Sequence, residues 1–309
     1  MKIMALTAAS TTTITTLLIS LLFLPKFYSS ELDSHTSIAK ADVDLLEFPL
    51  NLEFFEAEFF LYGALGYGLD KVDPNLTQGG PTPIGAKKAN LDPFTRDVIE
   101  QFAYQEVGHL RAIQKVVKGF PRPLLDLSKE SFAKVVDAAV GKKLSPPFDP
   151  YYSGVHYLLA SYLIPYVGLT GYVGTIPKLQ APTSRRLVAG LLGVESGQDA
   201  VIRAYLYEHA HEIVEPYGIT VAQFSNYFSD LRNKLGHEGV KDEGLWVRKS
   251  EGAEGKIKGN ALAGDADSVA YDRTAEEILR IVYGSGDEHK PGGFYPKGGN
   301  GNIARSHLH

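Results

Sequence analysis

Two short segments, Glu106-Val107-Gly108-His109 and Glu195-Ser196-Gly197-Gln198, constrain this chain more than any other feature. Each lies in a stretch of helical periodicity, where residues i and i+3 share a face, so each aims two metal-capable side chains in one direction. A Glu-x-x-His on each of two helices, joined by one Glu from each of two others, builds a carboxylate-bridged di-metal site inside a four-helix bundle. Here one copy is intact and the other is altered, with Gln198 where a second His is expected.

The surrounding pattern supplies the helices. Apolar residues recur at helical spacing over 41–69, where Pro49 predicts a kink or a new start. The Gly/Pro-rich stretch 70–92 predicts a loop. Asp92-Pro93 reads as an N-cap followed by Pro in the first turn of a second helix, which Gly119 and Pro121 stop. A long crossover over 119–150 carries one short helix near 128–140. A Tyr-rich third helix spans 150–175 with a kink at Pro165. A fourth runs from Pro182 to about Val214, and a short fifth ends near Gly236. The long second-to-third connection lets two helix pairs stack across one another. From 237 the composition turns to Gly and polar residues, interrupted by one capped helix at 273–283. The bundle is therefore expected over 40–236, and 237–309 as an extended region.

The ligand inventory is incomplete on this reading. The first helix offers Glu53 and Glu56 on one face, flanked by Phe residues, while Glu58 points elsewhere. Glu106 and His109 sit among Phe102, Val107 and Leu110, a partly buried face on which a hydrogen-bonded core His gives the same pattern. Glu195 and Gln198 hold the corresponding place on the fourth helix, but Gln is a neutral donor and a poorer ligand than imidazole. The third helix has no Asp or Glu between 151 and 176, and His156 there reads as a core or surface residue. A site short of one imidazole and one carboxylate is expected to hold at most one divalent ion, iron or manganese. His209 and Glu212 also share a face, near a helix end where an imidazolium suits the dipole.

Composition bounds the setting. With no Cys, the chain excludes thiolate-ligated zinc, Fe–S clusters and thiol catalysis, and its stability must rest on the core. The net charge of −5 and the lack of a basic cluster argue against a nucleic-acid partner. Residues 1–30 read as a secretory signal: Lys2, then the apolar run Leu17–Leu24, too short to span a bilayer comfortably, then Pro25. Asn75-Leu76-Thr77 is an N-glycosylation sequon in the expected surface loop. An extracellular address follows.

Several stretches together resemble the plant desiccation-related proteins, secreted members of the ferritin-like superfamily. They are Leu52–Phe59, the Glu106–His109 helix, Gly168-Leu169-Thr170-Gly171-Tyr172-Val173-Gly174, Val194–Ala200 and the Glu277–Gly284 island. The resemblance covers nearly all of 40–305, and it implies an address in the cell-wall space, with cell-wall or membrane-surface components, or a second copy of the chain, as expected partners. It implies an all-α, ferritin-like four-helix bundle with a long crossover, a fifth short helix and an irregular C-terminal extension. It also implies Glu53, Glu106, His109 and Glu195 as retained ligand positions, with Gln198 departing from the pattern. Pro165 stands where a third-helix Glu belongs, and Phe60 where relatives often carry a Tyr near the metal. Two functions are expected from this: a non-catalytic or weakly metal-binding stress protein, or alternatively a metal-dependent oxidoreductase acting on metal ions or peroxide.

Overall fold

Pro49 divides the first apolar stretch. The computed structural model describes residues 38–308, and in it α1 (Lys40–Glu47) ends just before this proline and α2 (Leu50–Leu65) begins just after it. The signal segment expected at 1–30 lies outside the described residues. Helix α2 is buried on every face, its acids included, which marks it as the central helix of the bundle. Gly66, at φ +84°, closes it in the left-handed conformation that glycine adopts without strain.

A single turn, α3 (Leu69–Val72), and the Gly/Pro-rich loop lead to α4 (Pro93–Gln114). The Asp92 carboxylate accepts from the Thr95 backbone N–H at 3.0 Å, satisfying one of the free donors at the α4 start. The crossover carries α5 (Lys129–Val140), capped by Ser128. The expected third helix is two helices, α6 (Gly154–Ser161) and α7 (Pro165–Thr175), broken over 162–164. Pro165 has no N–H to continue α6 and opens α7 at its first turn. Helix α8 (Pro182–Glu208) is the longest described element. The residues leading into it are joined to α1 by Asp42, whose carboxylate accepts from the N–H groups of Gln180 at 2.8 Å and Ala181 at 2.9 Å.

Helix α2 packs along α4, and α7 packs along α8, so the four helices around the centre meet in two pairs. The fourth helix is shorter than expected. Residues 213–214, expected at its end, pair instead with residues 219–220, expected to begin the fifth helix, in a hairpin of β1 (Ile213–Val214) and β2 (Ile219–Thr220) with Gly218 in its turn at φ +67°. Then α9 (Val221–Gly236) starts from a capping box between Thr220 and Gln223.

The C-terminal region is more ordered than expected. It forms α10 (Ala275–Val282) and a further helix, α11 (Gly301–Ser306). Its irregular parts are woven into the core: Phe294 meets Phe55 edge-on at 5.0 Å, and the Tyr295 hydroxyl donates to the Asn51 carbonyl at 2.8 Å. The glycines of α7 make this docking feasible. A Cβ at Gly171 would lie 2.6 Å from Ile278 Cδ1, and one at Gly174 would lie 2.4 Å from the Arg273 carbonyl oxygen.

Candidate metal centre

Glu53 from α2, Glu106 and His109 from α4, and Glu195 from α8 converge in the middle of the bundle, all buried. One ligand atom from each lies within 4.8 Å of the others. His109 Nδ1 stands 3.2 Å from Glu53 Oε2, 3.2 Å from Glu106 Oε2 and 3.3 Å from Glu195 Oε1. A single ring N–H serves one acceptor well, not three. Donors about 2.1 Å from one ion lie about 3.0–3.4 Å apart in octahedral or tetrahedral arrangements. The observed spacings match a coordination shell better than a hydrogen-bond network.

The neighbouring groups leave lone pairs over. Neither carboxylate oxygen of Glu195, nor Glu56 Oε1, nor Gln198 Oε1 has a hydrogen-bond partner among the described residues, though all are buried. An unsatisfied buried acceptor costs about 1–3 kcal/mol, and several together call for a cation. The donor set, one imidazole and three carboxylates, fits a divalent metal ion, which Glu53, Glu106, His109 and Glu195 would hold.

Without an ion, protons balance the charge. Burial raises the Glu56 carboxyl well above its ordinary value, and the nearby Glu195, Glu106 and Glu53 raise it further. Glu106 moves the same way through burial and the charges of Glu195 and Glu53. Burial pushes Glu195 up to about 7 against the opposing pull of His109. For Glu53, burial is outweighed by the charge and hydrogen bond of His109, so its carboxyl falls below the ordinary value. Burial disfavours the His109 cation, but Glu53, Glu106 and Glu195 more than offset this and hold the imidazole protonated.

Other expected site residues take different roles. Gln198 is present, but as a donor: its Nε2 gives hydrogen bonds to Glu106 Oε1 at 2.5 Å and Gln105 Oε1 at 3.0 Å. Glu56 stands outside the four-ligand cluster, facing the same centre. Glu58 points away into a buried ion pair with Arg122, which also binds Asp70. Pro165 is not the residue that faces the metal-ligand cluster from α7. Gly168, one turn on, is: a Cβ there would lie 3.5 Å from Glu56 Oε1 and 4.0 Å from Glu195 Oε2. The turn break before α7 shifts the register, and no carboxylate occupies the inward position.

Tyr172, one further turn along α7, was not anticipated as a site residue. Its buried hydroxyl donates to Glu53 Oε1, and the Gly168–Tyr172 spacing of four was the signal that could have found it. Phe60 packs on Phe102, 5.9 Å between ring centroids. His156 is a core residue, stacked on Phe148 and bonded to Ser153 Oγ at 2.8 Å. His209 pairs with Glu212 at 2.8 Å near the α8 end. Asn75 is exposed in a 3-10 turn.

A cavity of about 40 Å³ reaches the centre. Glu53, Glu56, Gly168, Tyr172 and Glu195 line its inner part, while Leu45, Thr175, Ile303 and the exposed Lys178 line it toward the surface. At about 10–15 Å³ per water, it has room for a few waters or one comparably small molecule. Helices α10 and α11 form part of its wall through Ala275, Ile278 and Ile303.

An all-α bundle whose paired helices direct carboxylates and a histidine to one buried point is a ferritin-like protein, and the chain belongs to the ferritin-like domain family, whose model matches residues 41–208. It is 62% identical over 264 residues to the desiccation-related protein PCC13-62 of Craterostigma plantagineum, covering 85% of this chain and 84% of that one. It is 59% identical over 271 residues to the ferritin-like catalase Nec2 of Nesocodon mauritianus, covering 88% of this chain and 87% of that one. No solved structure matches it.

Proposed function

We propose that this is a desiccation-related, ferritin-like protein whose buried centre holds iron or manganese and disproportionates hydrogen peroxide to water and oxygen. The supporting observation is the convergence of three carboxylates on His109 Nδ1 at 3.2–3.3 Å beside a small cavity. A bound redox metal supplies the electron exchange that peroxide dismutation needs. The relative named as a catalase supports this reading over a purely structural one.

The chain's own groups can do the rest. Glu53, Glu106, His109 and Glu195 hold the ion. Tyr172 fixes the Glu53 carboxylate by its hydrogen bond, and Gln198 does the same for Glu106. Glu56 Oε1 is buried, unpartnered and on the cavity wall, and its carboxyl is raised by burial and nearby acids. It is placed to hold and return a proton while a peroxide O–O bond is cleaved. The narrow cavity excludes larger substrates.

One feature favours a weaker, non-catalytic metal protein: Gln198 replaces an imidazole, and α7 offers Gly168 where a carboxylate would complete the shell. Oxygen evolution from peroxide by the purified protein separates the two readings. The catalase reading expects turnover that falls at least about tenfold in Glu56→Gln with the metal retained. Absence of turnover by the metal-loaded protein would leave the non-catalytic reading standing. Export through residues 1–30 and a glycan on Asn75 belong to the same proposal, since peroxide control during drying suits the cell-wall space. N-terminal sequencing that began at Met1, or an unmodified Asn75, would remove those parts.

A further inference from the structure

Apart from the four residues of the bundle centre, Glu288, His289 and His307 bring one carboxylate oxygen and two imidazoles to one place, with ligand atoms within 4.8 Å of one another. Glu288 and His289 lie in the loop after α10, and His307 caps the C-terminus of α11. We propose that these three side chains form a second metal site, selective for a zinc-like divalent cation, which fastens the end of α11 to the α10–α11 loop.

The hydrogen bonding around His289 points to coordination. Its Nδ1 is 2.8 Å from the His307 carbonyl oxygen, a group that can only accept. Nδ1 therefore carries a proton, which leaves Nε2 as the ring atom that can bind an ion. That atom faces Glu288 Oε1 at 3.7 Å. A ligating histidine whose other ring N–H is anchored to a backbone carbonyl is the usual outer-shell arrangement of a metal site. Glu288 is oriented in turn by Arg280, which reaches Oε2 with Nε at 2.7 Å and Oε1 with a terminal nitrogen at 3.1 Å. The His307 ring lies 5.5 Å from that of His289, at 61° to it.

The donor types select the ion. Two imidazoles and one carboxylate, with solvent free to supply a fourth ligand, suit zinc or copper, whereas the carboxylate-rich centre suits iron or manganese. Two donors on one ion, each about 2.1 Å from it, are at most about 4.2 Å apart. Contraction by well under an ångström brings this set into range, and the exposed His289 can move that far. Occupancy would also bear on the cavity. Ile303 of α11 lines it, so an ion tying His307 to the preceding loop would hold α11 against the bundle and keep the mouth narrow.

The test uses the full chain, stripped of metal and titrated calorimetrically with Zn2+. A high-affinity zinc equivalent is expected that weakens at least about tenfold in His289→Ala and in His307→Gln and survives in Glu106→Gln. Survival in Glu106→Gln separates this site from the bundle centre, so either assignment can fail alone. Copper loading should give an electron paramagnetic resonance spectrum with coupling to two nitrogens, reduced to one in either histidine variant. Zinc uptake unchanged in both variants would overturn the site. Unchanged amide exchange over 301–306 on zinc binding would overturn the clamp.

Discussion

Two buried charge clusters sit one helical turn apart on α8, and they are built on opposite rules. At Glu195 the acids converge with lone pairs to spare. At Asp199 and Arg203, the same helix enters a network in which the charges are largely spent on one another. Asp242 accepts from Arg232 at 3.0 Å and from Arg273 at 3.4 Å. Arg203 donates to the Tyr162 hydroxyl at 3.0 Å and to the Asn260 carbonyl at 2.7 Å. The exceptions are Asp199 Oδ1, the Tyr166 hydroxyl and Arg232 Nε, which have no hydrogen-bond partner among the described residues, although Arg232 Nε stands 2.5 Å from Asp242 Oδ2. Three buried arginines paired in this way anchor the C-terminal region to α7, α8 and α9. The contrast teaches that buried charge alone does not mark a site. Surplus acceptors aimed at one point do.

The comparison breaks most visibly where a paired charge is orphaned. Arg232→Ala leaves Asp242 buried with a weakened partner set and should cost about 3–5 kcal/mol in chemical denaturation. A loss below about 1 kcal/mol would mean the network is ornamental. Next comes the docking of the segment that carries Arg273. Gly174→Ala drives a Cβ to within 2.4 Å of the Arg273 carbonyl oxygen and should destabilise by about 1–3 kcal/mol through overpacking. Gly168→Ala, whose Cβ meets nothing closer than 3.5 Å, should leave stability near wild type while narrowing the cavity and slowing peroxide turnover.

Asp42 gives a third kind of buried acid, satisfied by backbone N–H groups. Burial opposes its ionisation, but the hydrogen bonds from Gln180 and Ala181 outweigh it and hold the carboxyl below the ordinary value. Its contribution is present above the unfolded-state pKa and is lost as pH falls through the folded value. Asp42→Asn should cost about 1–2 kcal/mol at neutral pH and flatten the acid limb of the stability profile. An acid limb of unchanged steepness would refute this. The smallest effect on folding is expected at the centre itself. Glu106→Gln keeps an acceptor for Gln198 and removes a buried carboxyl, so the metal-free protein should change by less than about 1 kcal/mol.

The bundle was legible because its signals are local. Glu106 with His109, and Glu53 with Glu56, share faces by spacing alone, and the Asp92 cap and Pro49 break are read from adjacent residues. The register of α7 was not legible, because the break at 162–164 turns Gly168 inward in place of Pro165. Tyr172 was hidden for the same reason. The hairpin at 213–220 was overridden by helical-looking residues, although Pro216 and Gly218 mark a turn. The order of the C-terminal region is not legible in sequence because its partners are far away along the chain: Phe294 belongs with Phe55, and Arg273 with Thr170. Gly and polar composition says nothing of such contacts.

The central claim is that the unpartnered acids around His109 are a metal site. Elemental analysis of the full-length protein, purified without chelators beside Glu106→Gln, tests it most directly. About one iron or manganese ion per chain is predicted, given four converging ligands and no α7 carboxylate, with near-complete loss in the variant despite an unchanged fold. A wild-type protein that takes up neither metal, or a variant that retains the same amount, would contradict the account.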